Sequence, residues 1–362
     1  MSFKPEVCKY LYMGKRVVVA GAGFAGLNSA LMLDRNGFDV VLIDQNSDHV
    51  FRPGLGELIR GRFSERSLKL DLESFLGKTT VEFKQDTVES IDPDKQVVKC
   101  SGEDHDYDYL VLGLGSERVE PDFDLKYTED FYSLESSKEA VQASEEADSA
   151  VVIGSSYTGV EIATELHEKN VDVTLVDGST RPMPESDEKT SQVVLDHFNR
   201  TDLSFRGGQR VEIVTNYGVE LENGSELEAD MVVWCGGLQA SKTVQESFET
   251  DPDGLDVNSG LSALEYDNVF AAGDCADDNA LDTAQNAEKG GLVVAENICS
   301  GSELLKDFNP GFSPILVSLG PHAILEVGDR VYKSRLLRYM KDLVPRYYFL
   351  SLRYRRLRSR LG

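Results

Sequence analysis

Two stretches of this chain carry one pattern at one spacing, and that repeat restricts the fold more than any other feature. RVVVA (Arg16–Ala20) runs into GAGFAG, and DVVLID (Asp39–Asp44) follows. Later AVVI (150–153) runs into GSSYTG, and DVTLVD (Asp172–Asp177) follows. Gly21 to Asp44 is 23 positions and Gly154 to Asp177 is also 23; Gly26 to Asp44 and Gly159 to Asp177 are both 18. Short β-branched runs of this kind read as buried parallel strands, and each glycine turn opens a helix. YLVL (Tyr109–Leu112) ends at Gly113 and Gly115, and MVVW (Met231–Trp234) ends at Gly236 and Gly237 in the same way. The expected class is α/β with two Rossmann-like dinucleotide-binding domains. Residues 81–88 and 96–100 read as an antiparallel excursion from the first sheet.

The residues within each turn state the chemistry. In GAGFAG, Gly21 permits the tight turn, Gly23 lets the backbone approach a pyrophosphate, and Gly26 lets helix and strand pack closely. The diphosphate then rests on the N-terminus of a helix that starts at Phe24 and Ala25, where free N–H groups point outward. Asp44 is placed to accept the hydroxyls of an adenosine ribose. In GSSYTG the middle glycine is Ser156, whose Cβ crowds that approach and loosens the nucleotide. Thr158, Gly159 and Glu161 stand where the second nucleotide helix begins. Asp177 repels a 2′-phosphate and so favours NADH over NADPH, with Arg181 four residues on placed to soften that preference. A third segment, VFAAGDCAD (269–277), closes a strand with Gly273 and Asp274. Asp274 is placed to bond a ribityl hydroxyl of a flavin, and a helix beginning at Ala284 aims its N-terminal dipole at the ring. The blander alternatives are a glycine turn without ligand, a degenerate second unit kept for packing, and an Asp274 that only caps a helix.

Composition narrows the class. With 362 residues and 41% apolar side chains the chain holds two or three packed domains rather than a disordered segment. Its net charge of −26 turns away nucleic acid and anionic surfaces unless one region departs from the mean. One does: residues 330–362 hold 11 Lys and Arg against one acid, which leaves a tail of +10 on a body of −36. Such a body suits a high-salt cytoplasm, where carboxylates keep a surface hydrated. Five scattered cysteines (Cys8, Cys100, Cys235, Cys275, Cys299) form no redox pair and no zinc spacing, which points to reduced intracellular thiols. His49, His105, His167, His197 and His322 have no ligand-like spacing either, so no metal site is expected. No run of 18 apolar residues exists.

The tail is amphipathic. KSRLLRYMKDLVPRYY (333–348) puts Leu336, Leu337, Met340, Leu343, Val344 and Tyr347 on one helical face and Arg335, Arg338, Lys341 and Asp342 elsewhere. Pro345 is expected to break or kink it. The reading is a membrane-associating segment, with the apolar face in the lipid boundary and arginines on anionic headgroups. On that reading, deletion after Gly328 frees the protein from the membrane and spares its soluble chemistry. The competing reading is a helix packed on the acidic body, or in a homodimer interface.

The order of these pieces resembles the two-dinucleotide-binding flavoproteins of the glutathione-reductase-like superfamily. Within it the chain is most similar to type II NADH dehydrogenases (NADH:quinone oxidoreductases) and the short ferroptosis-suppressor quinone reductases. GAGFAG, VVLIDQNSDHVFRP, YDYLVLGLGS, GSSYTGVE, MVVWCGG, VFAAGDCAD and TAQNAEKGG carry the resemblance. It implies FAD at Gly21, Gly23, Gly26, Asp44 and Asp274, with Phe24, Ala25, Arg52, Gly115, Gly273 and Ala284 beside it. It implies NADH at Gly154, Thr158, Gly159, Asp177 and Gly236, with Glu161 guiding the nicotinamide. Residues matching Ala284, Gln285 and Lys289 lie near the isoalloxazine and the quinone in that family. Lys289 stands where the family usually has a second Gln, and Arg52 where it more often has an uncharged residue. The implied layout is a leader at 1–14, an FAD-binding domain at 15–116 and 256–305, an NAD(P)H-binding domain at 117–255 and a C-terminal segment at 306–362. The implied place is the cytoplasmic face of a membrane, held peripherally.

Three other functions share parts of this layout. Disulfide reductases need a cysteine pair after the strand ending at Asp44, and residues 45–80 contain no cysteine. Sulfide:quinone oxidoreductases use cysteines flanking the flavin, and residues 113–234 contain none. A soluble ferredoxin or rubredoxin reductase would not need the basic tail. A flavoprotein that binds nucleic acid through the tail is the non-enzymatic alternative. The purified protein is expected to be yellow, and denaturation should release a cofactor that runs as FAD on chromatography. Release of FMN, or of no flavin from protein prepared with flavin present, would overturn the assignment.

Overall fold

The computed structural model describes residues 14–301, 305–311 and 314–359; all of the expected leader except Gly14 lies outside the described residues. Strands β1 (Arg16–Ala20), β2 (Asp39–Asp44), β3 (Glu82–Gln85) and β4 (Tyr109–Leu112) come first, with helix α1 (Phe24–Arg35) between β1 and β2. Strand β5 (Ser149–Ile153), helix α2 (Tyr157–His167) and strands β6 (Asp172–Asp177), β7 (Ser204–Gly207) and β8 (Met231–Trp234) follow. Strand β9 (Val269–Ala271) and helix α3 (Ala284–Ser300) come next. A meander β10 (Ile315–Leu319), β11 (His322–Val327), β12 (Arg330–Ser334) and helix α4 (Arg335–Ser359) close the chain.

Two parallel sheets result, in the orders β9-β4-β1-β2-β3 and β7-β6-β5-β8. In each, the first strand hands over to a neighbour on either side, so a crevice opens at its carboxyl end. Val17, Val18, Val19, Val151 and Val152 are buried on both faces, which is why these strands read as unbroken apolar runs. Residues 81–88 are not one antiparallel strand. Glu82–Gln85 extends the parallel sheet beside β2, and the antiparallel excursion begins at Val88. The charged residues of EFKQ hid an edge strand that is half exposed. Helix α3 lies directly on α1, where a Cβ on Gly291 would stand 2.2 Å from the Ala25 carbonyl oxygen. Only glycine permits that approach.

The C-terminal layer departs most from expectation. Helix α4 runs unbroken through Pro345, whose ring is buried. The helix is packed on the body by its charges. Arg338 is 2% exposed; it donates to Glu57, to Asp342 Oδ1 at 2.8 Å and to the Gly320 carbonyl at 3.2 Å, and lies 3.5 Å from Glu165. Lys341 reaches Glu161, Glu57 at 3.5 Å and Ser318 Oγ at 3.0 Å. Ser318 completes the set, donating its hydroxyl to Glu57 at 2.6 Å and its N–H to Glu161 at 2.7 Å. Two turns further on, the Tyr348 hydroxyl donates to His49 Nε2 at 3.0 Å, and His49 Nδ1 donates to the Ala22 carbonyl at 2.8 Å. Burial holds the His49 imidazole down to about 4, which keeps it neutral. Arg355 bonds Asn28 on α1 and Glu288 on α3.

The apolar face points the other way. Leu336, Leu343, Tyr347 and Leu350 are 68%, 56%, 74% and 64% exposed, and Tyr339, Met340 and Tyr354 join them. The helix packs on the acidic body, as the competing reading expects, and it also leaves an apolar face exposed among the described residues. Deletion after Gly328 would strip off β12 and α4 and leave Glu57, Glu161 and Glu165 without Arg338 and Lys341. The tail is not separable from the fold.

Glu165 carries a pH signature. Burial first, then the Glu57 charge, push its carboxyl up to about 7 against the pull of Arg338, Arg62 and Arg60. In the unfolded chain the group ionises near its ordinary value of 4.5, so between there and about 7 the folded state holds the extra proton. Wild-type stability from this group therefore falls as pH rises through that window. The melting temperature of Glu165→Gln relative to wild type should climb from pH 5 to pH 8. A difference that stays flat, or shrinks with rising pH, would contradict the burial argument.

Candidate functional site: two dinucleotide cradles

The first cradle lies at the carboxyl end of β1. Gly21 has φ of +97°, and a Cβ there would sit 2.2 Å from the Gly113 carbonyl oxygen. A Cβ on Gly26 would sit 1.8 Å from the Gly21 carbonyl oxygen. Those two glycines answer to the protein's own packing. Gly23 does not: its Cβ would meet nothing nearer than Gly113 O at 3.7 Å. The open side of Gly23 is where a ligand approaches, and no side chain caps the N-terminus of α1 beyond it. Phe24 and Ala25 turn inward. The Phe24 ring stands edge-on to His49 and Phe51, and Ala25 lies beneath α3, so each offers a ligand its backbone N–H. Asp44 accepts the Ala22 N–H on Oδ2 at 2.7 Å and both the Asn46 N–H, at 2.8 Å, and the Asn46 side-chain amide, at 3.1 Å, on Oδ1, so Oδ2 keeps lone-pair capacity for a ribose hydroxyl.

Strand β9 and helix α3 bring up the far end. Asp274 accepts from Ser116 Oγ at 2.7 Å, beside Gly273 and Gly115, both with positive φ. Arg52 is exposed and lies 4.4 Å over the Tyr132 ring, a cation–π contact that accounts for a charge at that position. Ala284 opens α3, whose first turn is capped by Thr283, with the Asn286 N–H donating to its Oγ1 at 3.2 Å. Gln285 is exposed. Lys289 donates to the Pro310 carbonyl at 2.5 Å, which ties it to the segment leading to β10. Asp278 and Asp282 line a hollow with Asp274, Leu281 and Asn286.

The second cradle repeats the first. Gly154 has φ of +99°, with a would-be Cβ 2.3 Å from the Cys235 carbonyl, and a Cβ on Gly159 would sit 1.9 Å from the Gly154 carbonyl. Asp177 is held by the Ser155 N–H at 2.5 Å and the Ser179 N–H at 2.6 Å, the same two backbone positions that hold Asp44. Ser156 starts α2 without a side-chain cap, and Thr158 is exposed on its first turn. Gly236 is fixed by the Trp234 ring, which a Cβ would strike at 2.1 Å. Around Asp177, the buried Ser155 Oγ and Gln209 Oε1 have no hydrogen-bond partner among the described residues. Orphaned polar atoms beside a ribose-type carboxylate fit a polar ligand. Arg181 does not face it: its donors go to the Ser186 and Pro184 carbonyls and to Ser191 Oγ. It braces the loop before α-helical residues 188–201 rather than reaching a nucleotide.

Glu161 sits one turn into α2, held by Ser318 and Lys341. Burial, the dominant effect, pushes its carboxyl up, and Lys341 pulls the other way. Glu57, Glu165, Ser318, Arg338 and Lys341 escaped sequence reasoning because nothing in their local spacing ties them together. The thiols are poorly placed for redox work. Burial pushes Cys235 up to about 12 and Cys275 up to about 11, so neither forms a thiolate near neutral pH. Among the described residues no cluster of three His, Cys, Asp or Glu is placed to hold a metal.

Known proteins share this architecture. A type II NADH:quinone oxidoreductase from Staphylococcus aureus is 27% identical, over 91% of this chain and 94% of its own. Ferroptosis suppressor protein 1 from Taeniopygia guttata is 28% identical, over 89% and 91%. The structure of NDH2 from Plasmodium falciparum in complex with NADH superposes with a TM-score of 0.83 over 95% of this chain and 97% of that one, at 15% identity. Residues 15–291, both cradles and the strand and helix that follow them, match the model of one family. The chain belongs to the pyridine nucleotide-disulphide oxidoreductases.

Proposed function

We propose that this chain is an FAD-dependent oxidoreductase that takes reducing equivalents from NADH and delivers them to a quinone at a membrane surface. The observation that carries the reading is the pairing of two matched cradles with a helix whose lipophilic face is turned outward. The full-length likeness to type II NADH:quinone oxidoreductases supports the same reaction. Bound flavin supplies the redox chemistry: it accepts hydride and passes electrons on. The residues bind, orient and exclude water.

In this reading residues 15–116 and 256–305 hold FAD, and 117–255 hold NADH. The first-turn N–H groups of α1 and the open side of Gly23 receive the FAD diphosphate, Asp44 its ribose and Asp274 its ribityl chain. Gly154, Thr158, Gly159, Asp177 and Gly236 form the NADH seat. Glu161, Gln285 and Lys289 stand at the redox end, Glu161 held in place by the C-terminal layer. The raised pKa values of Cys100, Cys235 and Cys275 favour this reaction over sulfide or disulfide chemistry.

Helix α4 docks the enzyme peripherally on the cytoplasmic leaflet. Leu336, Tyr339, Met340, Leu343, Tyr347 and Leu350 enter the lipid boundary. Arg335, Arg346 and Arg353 are exposed and meet headgroups, whereas Arg338 and Lys341 are spent inside. Among the described residues no helix is long and apolar enough to cross a membrane. The apolar face therefore carries most of the binding, and in high salt still more, because screening weakens the arginines. Leu343→Glu with Leu350→Glu leaves the buried charge network intact. The pair should weaken sedimentation with anionic vesicles by about tenfold or more and cut NADH oxidation with a lipophilic quinone in those vesicles. NADH reduction of a soluble dye should stay within about twofold, since neither residue touches a cradle. If vesicle binding survives and a dimer becomes a monomer instead, the face is a subunit interface and the membrane reading fails.

A further inference from the structure

The turn after β7 places one arginine on the adenosine end of the second cradle. Gly207 pairs with Asp177 across the sheet, the Gly208 N–H donates to the Ser179 carbonyl at 2.9 Å, and the Gln209 N–H donates to the Asp177 carbonyl at 3.0 Å. The chain is thus wrapped around the end of β6, and the next side chain, Arg210, crosses Gly178. Its Cγ and Nε lie 3.1 Å from where a Cβ on Gly178 would stand. A Cβ at 178 would make the arginine give way by a few tenths of an ångström, so the glycine lets it lie flush across the turn. Arg210 is exposed, and no carboxylate among the described residues lies within ion-pair distance of it, although the chain has 63 acids and a net charge of −26. Arg181, the arginine nearest Asp177 in sequence, has its donors committed to its own loop.

We infer that Arg210 determines nucleotide specificity: its guanidinium receives the 2′-phosphate of NADPH and offsets the repulsion from Asp177. The inference rests on the second cradle being the NADH seat. A carboxylate at the end of the second strand takes the ribose 2′-hydroxyl of NAD, and a neighbouring arginine accommodates the 2′-phosphate of NADP. Here both stand on one turn, Asp177 at the strand end and Arg210 across the following residue. A planar, permanently charged fork suits phosphate better than a point charge does. The enzyme uses NADH by preference and NADPH as a real second substrate, and Arg210 supplies the second activity.

The test is steady-state oxidation of NADH and NADPH by the flavin-loaded protein with a soluble dye acceptor. Arg210→Glu should lower the NADPH/NADH ratio of kcat/KM by about tenfold or more, with the loss in KM for NADPH rather than in kcat. Raising the salt should raise the NADPH KM of wild type more steeply than that of Arg210→Glu. Arg210→Lys, which keeps the charge but loses the fork, should give a ratio between those of wild type and Arg210→Glu. Arg181→Ala should lower the melting temperature and leave the ratio alone. A ratio unmoved by Arg210→Glu, or moved by Arg181→Ala instead, overturns the role of Arg210 while the NADH seat stands. Wild type that oxidises neither nucleotide overturns the seat itself and the inference with it.

Discussion

Arg338 and Lys341 are the cations on which the arrangement of this chain depends. Glu57 precedes the second cradle, Glu161 and Glu165 lie one turn apart on α2, and the two cations lie one turn apart on α4. Three carboxylates gathered out of water repel one another, and each alone would take a proton or seek solvent. Arg338 and Lys341 make the gathering possible. Burial pushes Glu57 up, but Lys341 and Arg338 outweigh it and hold that carboxyl below its ordinary value. Glu165, further from both cations, is left with its proton into the neutral range. A network of this kind adds less stability than an apolar core of equal volume would, yet removing one partner strands a buried charge. Its effect is to set which way α4 faces.

That orientation has consequences at both ends. With the cations pointing inward, Leu336, Tyr339, Leu343, Tyr347 and Leu350 point outward, and the helix exposes an apolar face without any long apolar segment. Because the same helix runs on over α1, Tyr348 reaches His49, and His49 holds the carbonyl of Ala22 inside the GAGFAG turn. Arg355 adds a tie to Asn28 on α1 itself. The element proposed to meet lipid thus braces the backbone proposed to meet FAD. Glu161 links it to the second cradle through Ser318 and Lys341.

The cradles were legible in the sequence because their determinants are local. A glycine whose Cβ would strike a carbonyl, and an acid 22 residues past the N–H that fixes it, leave marks at fixed spacing. The C-terminal layer was legible only in part. Helical periodicity identified the apolar stripe correctly, but periodicity carries no information about which face meets the body. The usual expectation that charges face out failed at Arg338 and Lys341, since the glutamates that hold them on the body are 173 to 284 residues away in sequence. Pro345 misled for a related reason: packing of Tyr348, Phe349 and Leu352 holds the helix through a missing N–H. Arg181 was the natural suspect for nucleotide preference by proximity in sequence. Folding sends it into its own loop and brings Arg210 across from the neighbouring strand.

Of the three turn glycines in the first cradle, the second keeps two and replaces the other, Gly23, by Ser156. At Gly23 the protein itself does not require glycine, since a Cβ would find open space. On the proposed assignment that space is left for FAD, which would lie against bare backbone at the turn. Ser156 holds the matching place in the second cradle, with ordinary extended geometry and a side chain on the approach path. The tight turns at Gly154 and Gly159 are kept, so the substitution loosens the seat without disturbing the strand–helix packing beneath it. A resident cofactor gains from close contact along its full length, because every contact slows its loss. A nucleotide that must leave after each turnover gains nothing from that, since uniform binding of reactant and product only delays release. On the proposed assignment, the complete glycine fingerprint serves a resident FAD and the crowded one an NADH that leaves after each turnover.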